Sequence, residues 1–281
     1  MAELTEQGFE DWLKAMRPRL HSFCGRMMGS AIDGEDVVQE AMTRAALAYG
    51  RSAPIEEPKA WLFRIARNAA IDALRARRGI GEAVPDEAPD PSADSAGRAA
   101  VTLGFTAFLP LPPPQRASVV LVDILGYSLA ETASILETTV GAVKATLHRG
   151  RARLAAPPAP AAIDEQEKLQ LRAYADLFNA RQFDALRDLL AADVQLTLAP
   201  AMRRAGKAEV SIYFTRYSEN PIAWRVEPVF VDGRPGLLAT DPADADSRFV
   251  VLLDWSDGRI IRIRDFTFAR YVMDGIDIVR I

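Results

Sequence analysis

Residues 126–154 read GYSLAETASILETTVGAVKATLHRGRARL, and this stretch decides the architecture of the first half of the chain. Ser128 precedes an apolar-periodic run and can cap a short helix over 129–136. Glu137-Thr138-Thr139 makes a three-residue turn, and Thr139 can cap a second helix over 140–154. Two short helices joined so tightly form a helix-turn-helix. Val140, Val143, Leu147 and Leu154 would pack the second helix inward. Its other face holds Thr139, Lys144, Ala145, His148, Arg149 and Arg151. A recognition helix sets its N-terminal residues against base edges in the major groove while its basic residues hold phosphates. Those six residues are the candidate duplex-binding set. Glu137 stands where this turn usually carries Gly.

Outward from this motif, composition breaks the chain twice. Residues 79–97, GIGEAVPDEAPDPSADSAG, are rich in Pro, Asp, Ala and Gly without apolar periodicity, the signature of a flexible acidic linker. Residues 155–162, AAPPAPAA, form a short stiff spacer. The domains expected are therefore 1–80, a linker at 81–97, 98–156, a Pro/Ala linker at 157–163, and 164–281. The formal charge of −4 over 281 residues does not advertise nucleic-acid binding. It hides two helices, 64–78 and 140–156, that each carry a net +4. One cysteine, Cys24, excludes a disulfide framework and a Cys-based zinc site, and two distant histidines, His21 and His148, argue against a His-rich metal centre. No metal or cofactor is expected. Apolar runs such as 119–122 are too short for a membrane span, and the polar, acidic residues 1–10 do not read as a signal peptide. A cytoplasmic protein without a membrane partner is the expectation.

Residues 9–28 place Phe9, Leu13, Met16, Leu20, Phe23 and Met27 at helical spacing. Asp33 is read as the cap of a helix running to Tyr49. Pro58 suits the entry of a long amphipathic helix, 59–78, whose apolar stripe is Trp61, Leu62, Ile65, Ala69 and Ala73. After residue 163 the period changes. Residues 164–179 and 183–190 read as helices. Alternating segments at 194–198, 224–231, 249–255 and 260–268 read as strands, with Asp232-Gly233 and Asp257-Gly258 as hairpin turns. An α+β domain with a curved antiparallel sheet is the expected result.

Three stretches in order carry a family resemblance. LPLPPPQRASVVLVD (109–123), with the helix-turn-helix after it, resembles region 4 of an extracytoplasmic-function (ECF) sigma factor of the sigma-70 family. DGEDVVQEAMTRA (33–45) resembles region 2.2, and PKAWLFRIARNAAIDALRARR (58–78) resembles regions 2.3 and 2.4. The resemblance implies two all-α sigma domains: a region 2 helical bundle and a region 4 helix-turn-helix. It implies docking of Glu35, Asp36, Gln39 and Glu40 on the clamp helices of the RNA polymerase β′ subunit, with the β flap as a second contact. It also implies that the loop 50–57 and Arg64, Arg67, Asn68, Asp72, Arg75 and Arg78 read and melt the −10 promoter element, while region 4 reads the −35 duplex. Trp61 is a wedge there or simply core.

Residues 163–281 resemble a SnoaL-like domain, a nuclear-transport-factor-2-like cone, and the resemblance implies a regulatory role. Residues 232–236, DGRPG, loosely resemble a Gly-rich loop of one such subgroup, departing at Pro235. Asp232, Gly233 and Arg234 form either a regulatory loop or a plain hairpin turn. Tyr213, Phe214, Trp224 and Trp255 line a cavity or fill a core. Asp176, Tyr213, Asp254 and Asp265 are the groups available for acid–base work, but this block has no histidine, so a non-enzyme is expected. Promoter DNA, core polymerase, and a small-molecule ligand or an anti-sigma protein are the implied partners. Two alternatives stay open: a helix-turn-helix regulator with a ligand-binding C-terminal domain, and a cyclase- or isomerase-type enzyme fused to a DNA-binding module. The short tether predicts that the third block packs on the other two in the free protein.

Overall fold

The structure, a computed structural model, describes residues 6–49, 55–78, 103–154, 164–200 and 202–281. The linker 79–97, the spacer 155–162 and loop residues 50–54 lie outside the described residues. The chain divides into two compact units, Met1–Ala159 and Pro160–Ile281.

The first unit is helical. Helix α1 (Glu6–Met28) pairs with α2 (Ala31–Tyr49), and α3 (Pro58–Arg78) lies against both. All six apolar positions read from α1 are buried. The α1 and α2 backbones cross at a glycine pair, where a Cβ on Gly34 would stand 2.4 Å from the Gly25 Cα. No other residue fits that approach. The expected cap at Asp33 is corrected: the helix begins earlier, and the Ser30 hydroxyl accepts from the Asp33 amide at 3.3 Å. Asp33 is instead buried in the first turn and pairs with Arg77 at 2.6 Å. On α3, Phe63, Ala66 and Ala70 are buried beyond the stripe read from the sequence.

The second helical block opens with a 3₁₀ turn (Phe105–Phe108). Then come α4 (Pro113–Val119), continued by a π turn (Val120–Ile124), α5 (Leu129–Leu136) and α6 (Val140–Arg153). One continuous apolar core joins it to α1–α3, from Phe9 through Phe63, Phe108 and Leu121 to Leu147. Phe63 meets Tyr127 edge-on at 5.4 Å. Arg116, 1% exposed, extends from α4 and donates to the carbonyls of Leu109 and Leu111 at 2.9 Å and to that of Met27 on α1. The two helical blocks thus share one interior.

The second unit starts with α7 (Glu165–Asn179), capped by Asp164, whose side chain accepts from the Gln166 amide at 3.1 Å. There follow α8 (Phe183–Asp188), β1 (Leu190–Leu198), β2 (Met202–Ala205) and α9 (Lys207–Glu219). The unit closes with β3 (Arg225–Val231), β4 (Arg234–Asp241), β5 (Asp244–Ser256), β6 (Arg259–Asp265) and β7 (Ile278–Arg280). The strand order is β2-β1-β6-β5-β4-β3-β7. The neighbouring strands pair antiparallel as expected except for β1, which runs parallel to β6 and makes the sheet mixed. The two Asp-Gly turns, with both central residues at positive φ, fix β3–β4 and β5–β6 as antiparallel hairpins. No tight turn joins β1 to β6, so turn chemistry leaves their relative direction open. Tyr174, Phe178 and Phe214 from the helices pack with Leu237, Val251 and Ile263 of the sheet to form the core.

Candidate functional site

Helix α6 is held by its own termini and by close packing. The Ser128 hydroxyl accepts from the Glu131 amide at 3.2 Å, and the Glu131 carboxylate accepts from the Ser128 amide at 2.8 Å, a reciprocal cap on α5. Hydrogen bonding of the carboxyl to the Ser128 hydroxyl, and then to the Ser128 amide, holds the Glu131 pKa below its ordinary value. Glu137 closes α5 in the left-handed region, φ 54°, which is why Gly is usual there. Thr139 caps α6, its hydroxyl accepting from the Ala142 amide at 3.2 Å. Val143, Leu147 and Leu154 are buried as expected, whereas Val140 is 40% exposed and joins the outer face. A Cβ at Gly150 would stand 2.6 Å from the Val119 methyl, so α6 and α4 meet over a bare backbone.

Of the six residues named on α6, Thr139, Lys144 and Ala145 are exposed at its N-terminal end, and His148 and Arg149 are half-buried. Arg151 is engaged inside the unit: its Nε and Nη2 donate to Asp123 at 3.0 and 2.7 Å.

The acidic face of α2 divides in the same way. Asp36 and Glu40 are exposed. Glu35 is 3% exposed and takes the Arg17 guanidinium; Gln39, half-buried, donates to Glu35 at 3.1 Å and accepts from Arg17 at 3.3 Å. The reading of Glu35 as a presented docking residue is therefore corrected. The acid is satisfied across the α1–α2 contact, because Arg17 rises from the neighbouring helix. On α3, Asn68 and Arg75 are exposed and Arg67 is half-buried, while the side chain of Arg78 lies outside the described residues. Arg64 faces Glu137 of the helix-turn-helix at 3.4 Å, and Ser134 of α5 donates to Glu57 at 2.9 Å. Asp72 accepts from Arg44 at 3.1 Å, and Arg44 also pairs with Glu40 at 2.7 Å. A single arginine thus ties the α2 set to the α3 set.

Family models match the chain in three places: Sigma-70 region 2 over residues 12–80, Sigma-70, region 4 over 107–154, and a SnoaL-like domain over 171–281. The ECF RNA polymerase sigma factor SigM of Mycobacterium tuberculosis is 34% identical over 148 residues, which covers 52% of this chain and 75% of SigM. The chain belongs to the ECF RNA polymerase sigma factors. SigG of the same organism, also an ECF sigma factor, is 33% identical over 224 residues, 66% of this chain, and the chain spans 59% of SigG's length. The crystal structure of the M. tuberculosis ECF sigma factor SigJ aligns over 95% of this chain and 99% of SigJ, at 22% identity and a TM-score of 0.36.

In this ECF sigma factor, Asp232, Gly233 and Arg234 sit at the β3–β4 hairpin turn. Asp232 exchanges hydrogen bonds with the Asp277 backbone, donating from its amide at 2.8 Å and accepting on Oδ1 at 3.0 Å. The turn therefore fastens the segment that leads into β7. Of the four groups considered for acid–base work, only Tyr213 and Asp265 come together, at 2.8 Å. Asp176 is exposed, and Asp254 lies 3.6 Å from both Arg262 and Arg264. Arg17, Arg116 and Asp123 were not singled out from the sequence. Each acts through a partner at least seven positions away and, in its principal contacts, on another element, so no local pattern marks it. Among the described residues, no helix is long and apolar enough to cross a membrane.

Proposed function

We propose that this chain is a transcription-initiation factor that brings core RNA polymerase to a dedicated promoter. The observation that carries the reading is the exposed N-terminal end of α6, with Thr139, Lys144 and Ala145 raised on a doubly capped helix-turn-helix, in a chain of the ECF family. That end enters the major groove of −35 duplex DNA, with Lys144, His148 and Arg149 along its flank on bases and phosphates. Asp36, Gln39 and Glu40 dock on the β′ clamp helices, and region 4 meets the β flap. Arg67, Asn68 and Arg75, with Arg64 and Arg78, follow the opened −10 strand, where cations track the backbone. Glu35 acts by orienting Gln39, and Arg151 by fixing α6 on Asp123. The factor performs no chemistry, since nucleotidyl transfer belongs to the polymerase, and it works in the cytoplasm. The C-terminal unit modulates this activity. An anti-sigma protein is a further partner of the reading.

Because the two helical blocks share one core, they separate to engage promoter elements tens of ångströms apart, and the polymerase selects the open arrangement. Run-off transcription with purified core polymerase tests the reading. Full-length protein and a 1–160 truncation are both expected to initiate at the same promoter. Lys144→Ala and Arg149→Ala are each expected to lower the salt slope of −35 binding by about one unit where they contact phosphate. A full-length chain that never stimulates initiation from any promoter, and does not bind core polymerase, defeats it.

A further inference from the structure

The C-terminal unit carries a half-open pocket of about 140 Å³ between α9 and the ends of β1 and β6. Leu198, Trp224 and Phe268 supply apolar walls, and Tyr213, Tyr217 and Asp265 form its polar end. Phe268 is 67% exposed at this cavity, a large apolar side chain left to water where burial would be favourable. Trp224 is held edge-on to Phe249 at 4.9 Å, which sets the plane of one wall.

The polar end is unusual in how it is satisfied. Asp265 is fully buried, yet no arginine, lysine or histidine forms an ion pair with it among the described residues. Its carboxylate accepts instead from the hydroxyls of Tyr213 and Tyr217, both at 2.8 Å, and from the Thr267 amide at 2.7 Å. Both phenol hydrogens are thereby spent on the carboxylate. The cavity is left with phenolic oxygens as acceptors, and donation to a charged group polarises them further. Burial beside Asp265 pushes both phenols well above their ordinary pKa, so they keep those hydrogens. The buried Tyr174 hydroxyl, close enough to Asp265 to feel its charge, has no hydrogen-bond partner among the described residues.

A cavity of this size matches one that takes a single benzene ring. Its walls favour an apolar ring, and its acceptors favour a ligand with an O–H or N–H to donate. Its buried carboxyl disfavours an anion, and Arg216 is the one cation among its lining residues, on the exposed side. We propose that this cavity is a binding site for a neutral one-ring molecule bearing a hydroxyl or amine donor, anchored on the phenolic oxygen of Tyr217. The site is independent of whether the chain drives transcription, so its test uses binding alone.

Isothermal titration of the full-length chain with phenol, toluene and benzoate decides it. Phenol is expected to bind about tenfold more tightly than toluene, the equivalent of one retained hydrogen bond, and benzoate no better than toluene. Tyr217→Phe is expected to bring phenol down to the toluene level while leaving toluene unchanged. Trp224→Ala, which removes a wall rather than the anchor, is expected to weaken both. Circular dichroism matching the parent chain shows that each variant is folded. Equal binding of phenol and toluene, binding of benzoate as tight as that of phenol, or no binding of any probe up to about 10 mM overturns the proposal.

Discussion

The two units bury titratable groups by different means. In the helical unit, Glu35 and Asp33 sit at 3% exposure against the arginines Arg17 and Arg77, and His21 is buried with its Nε2 on the Ala31 carbonyl at 2.8 Å. In the C-terminal unit, Asp265 is held by neutral donors only. Desolvation is the leading influence on both His21 and Asp265, but it favours opposite responses to acid. Burial lowers the His21 pKa to about 4, with the Ala31 carbonyl bond working against the shift and Arg26 and Arg17 adding to it. Burial raises that of Asp265 against three hydrogen bonds that lower it. A buried acid met by a cation belongs to the packing of the helices. A buried acid met only by neutral donors at the edge of a cavity fixes the polarity that the cavity presents, by holding the hydrogens of those donors.

The largest way to break this contrast is to remove a cation from the helical unit. Arg17→Ala leaves Glu35 buried without its charge partner, and stripping one member of a buried pair costs about 3–5 kcal/mol. Urea unfolding followed by Trp12 and Trp61, both in the first unit, measures it. A loss below about 1 kcal/mol would show that water or Gln39 satisfies Glu35 and that the pair is ordinary surface charge.

Acid supplies the second test. The folded-state pKa of His21 lies below its unfolded value, so the unfolded chain takes up a proton that the folded chain refuses. Stability of the helical unit is therefore full above about pH 6.5 and falls as pH drops toward 4, by about 3 kcal/mol at the limit. Asp265 has the opposite sign. Its folded pKa is raised, so the folded cone binds the proton first, and its contribution to stability grows as pH falls through that pKa toward the unfolded value of 3.8. Variants keeping tryptophan in one unit only, through paired replacement of Trp12 and Trp61 or of Trp224 and Trp255, resolve the two transitions. The helical transition is expected to weaken between pH 7 and 5 and the C-terminal one to lag behind it. His21→Gln is expected to flatten the first slope, and an unchanged slope would remove His21 from the account.

Much of this architecture was legible in the sequence where a side chain acts on its own backbone. Ser128 and Thr139 cap the helices they were read to cap, and the two Asp-Gly pairs turn the hairpins they were read to turn. What stayed hidden depends on distant partners or lacks a period. β4 is buried without interruption from Gly236 to Ala239 and so shows no alternation. β7 has three residues, and α9 mixes β-branched and aromatic residues that read equally as strand. The run 33–36, Asp-Gly-Glu-Asp, reads as a helix start with Asp33 as its cap and acids in the first turn. Only Arg17 and Arg77, on other helices, show that two of its acids are buried. In the candidate site, Thr139, Lys144 and Ala145 were legible because a helical wheel places them outward, while Arg151 was not, since Asp123 lies on a preceding turn that the wheel cannot see.

The smallest expected effect sharpens the contrast from its exposed end. Arg64 and Glu137 are oppositely charged across the two helical blocks, as Arg17 and Glu35 are across α1 and α2, but at 3.4 Å with side chains 35% and 57% exposed. Such a pair contributes about 0–1 kcal/mol. Glu137 meanwhile occupies a left-handed backbone at φ 54°, which costs a non-glycine residue about 1–2 kcal/mol. Glu137→Gly relieves that strain, gives back about 0.5–1 kcal/mol through the greater freedom of glycine in the unfolded chain, and forfeits the pair. The balance is expected between no change and a gain of about 1 kcal/mol in urea unfolding. Arg64→Ala in the same background separates the terms, and the coupling between the two changes should stay below about 0.5 kcal/mol. A coupling above about 2 kcal/mol would mean that the exposed pair is held as firmly as the buried one. Burial would then no longer be what distinguishes structural charge in this protein.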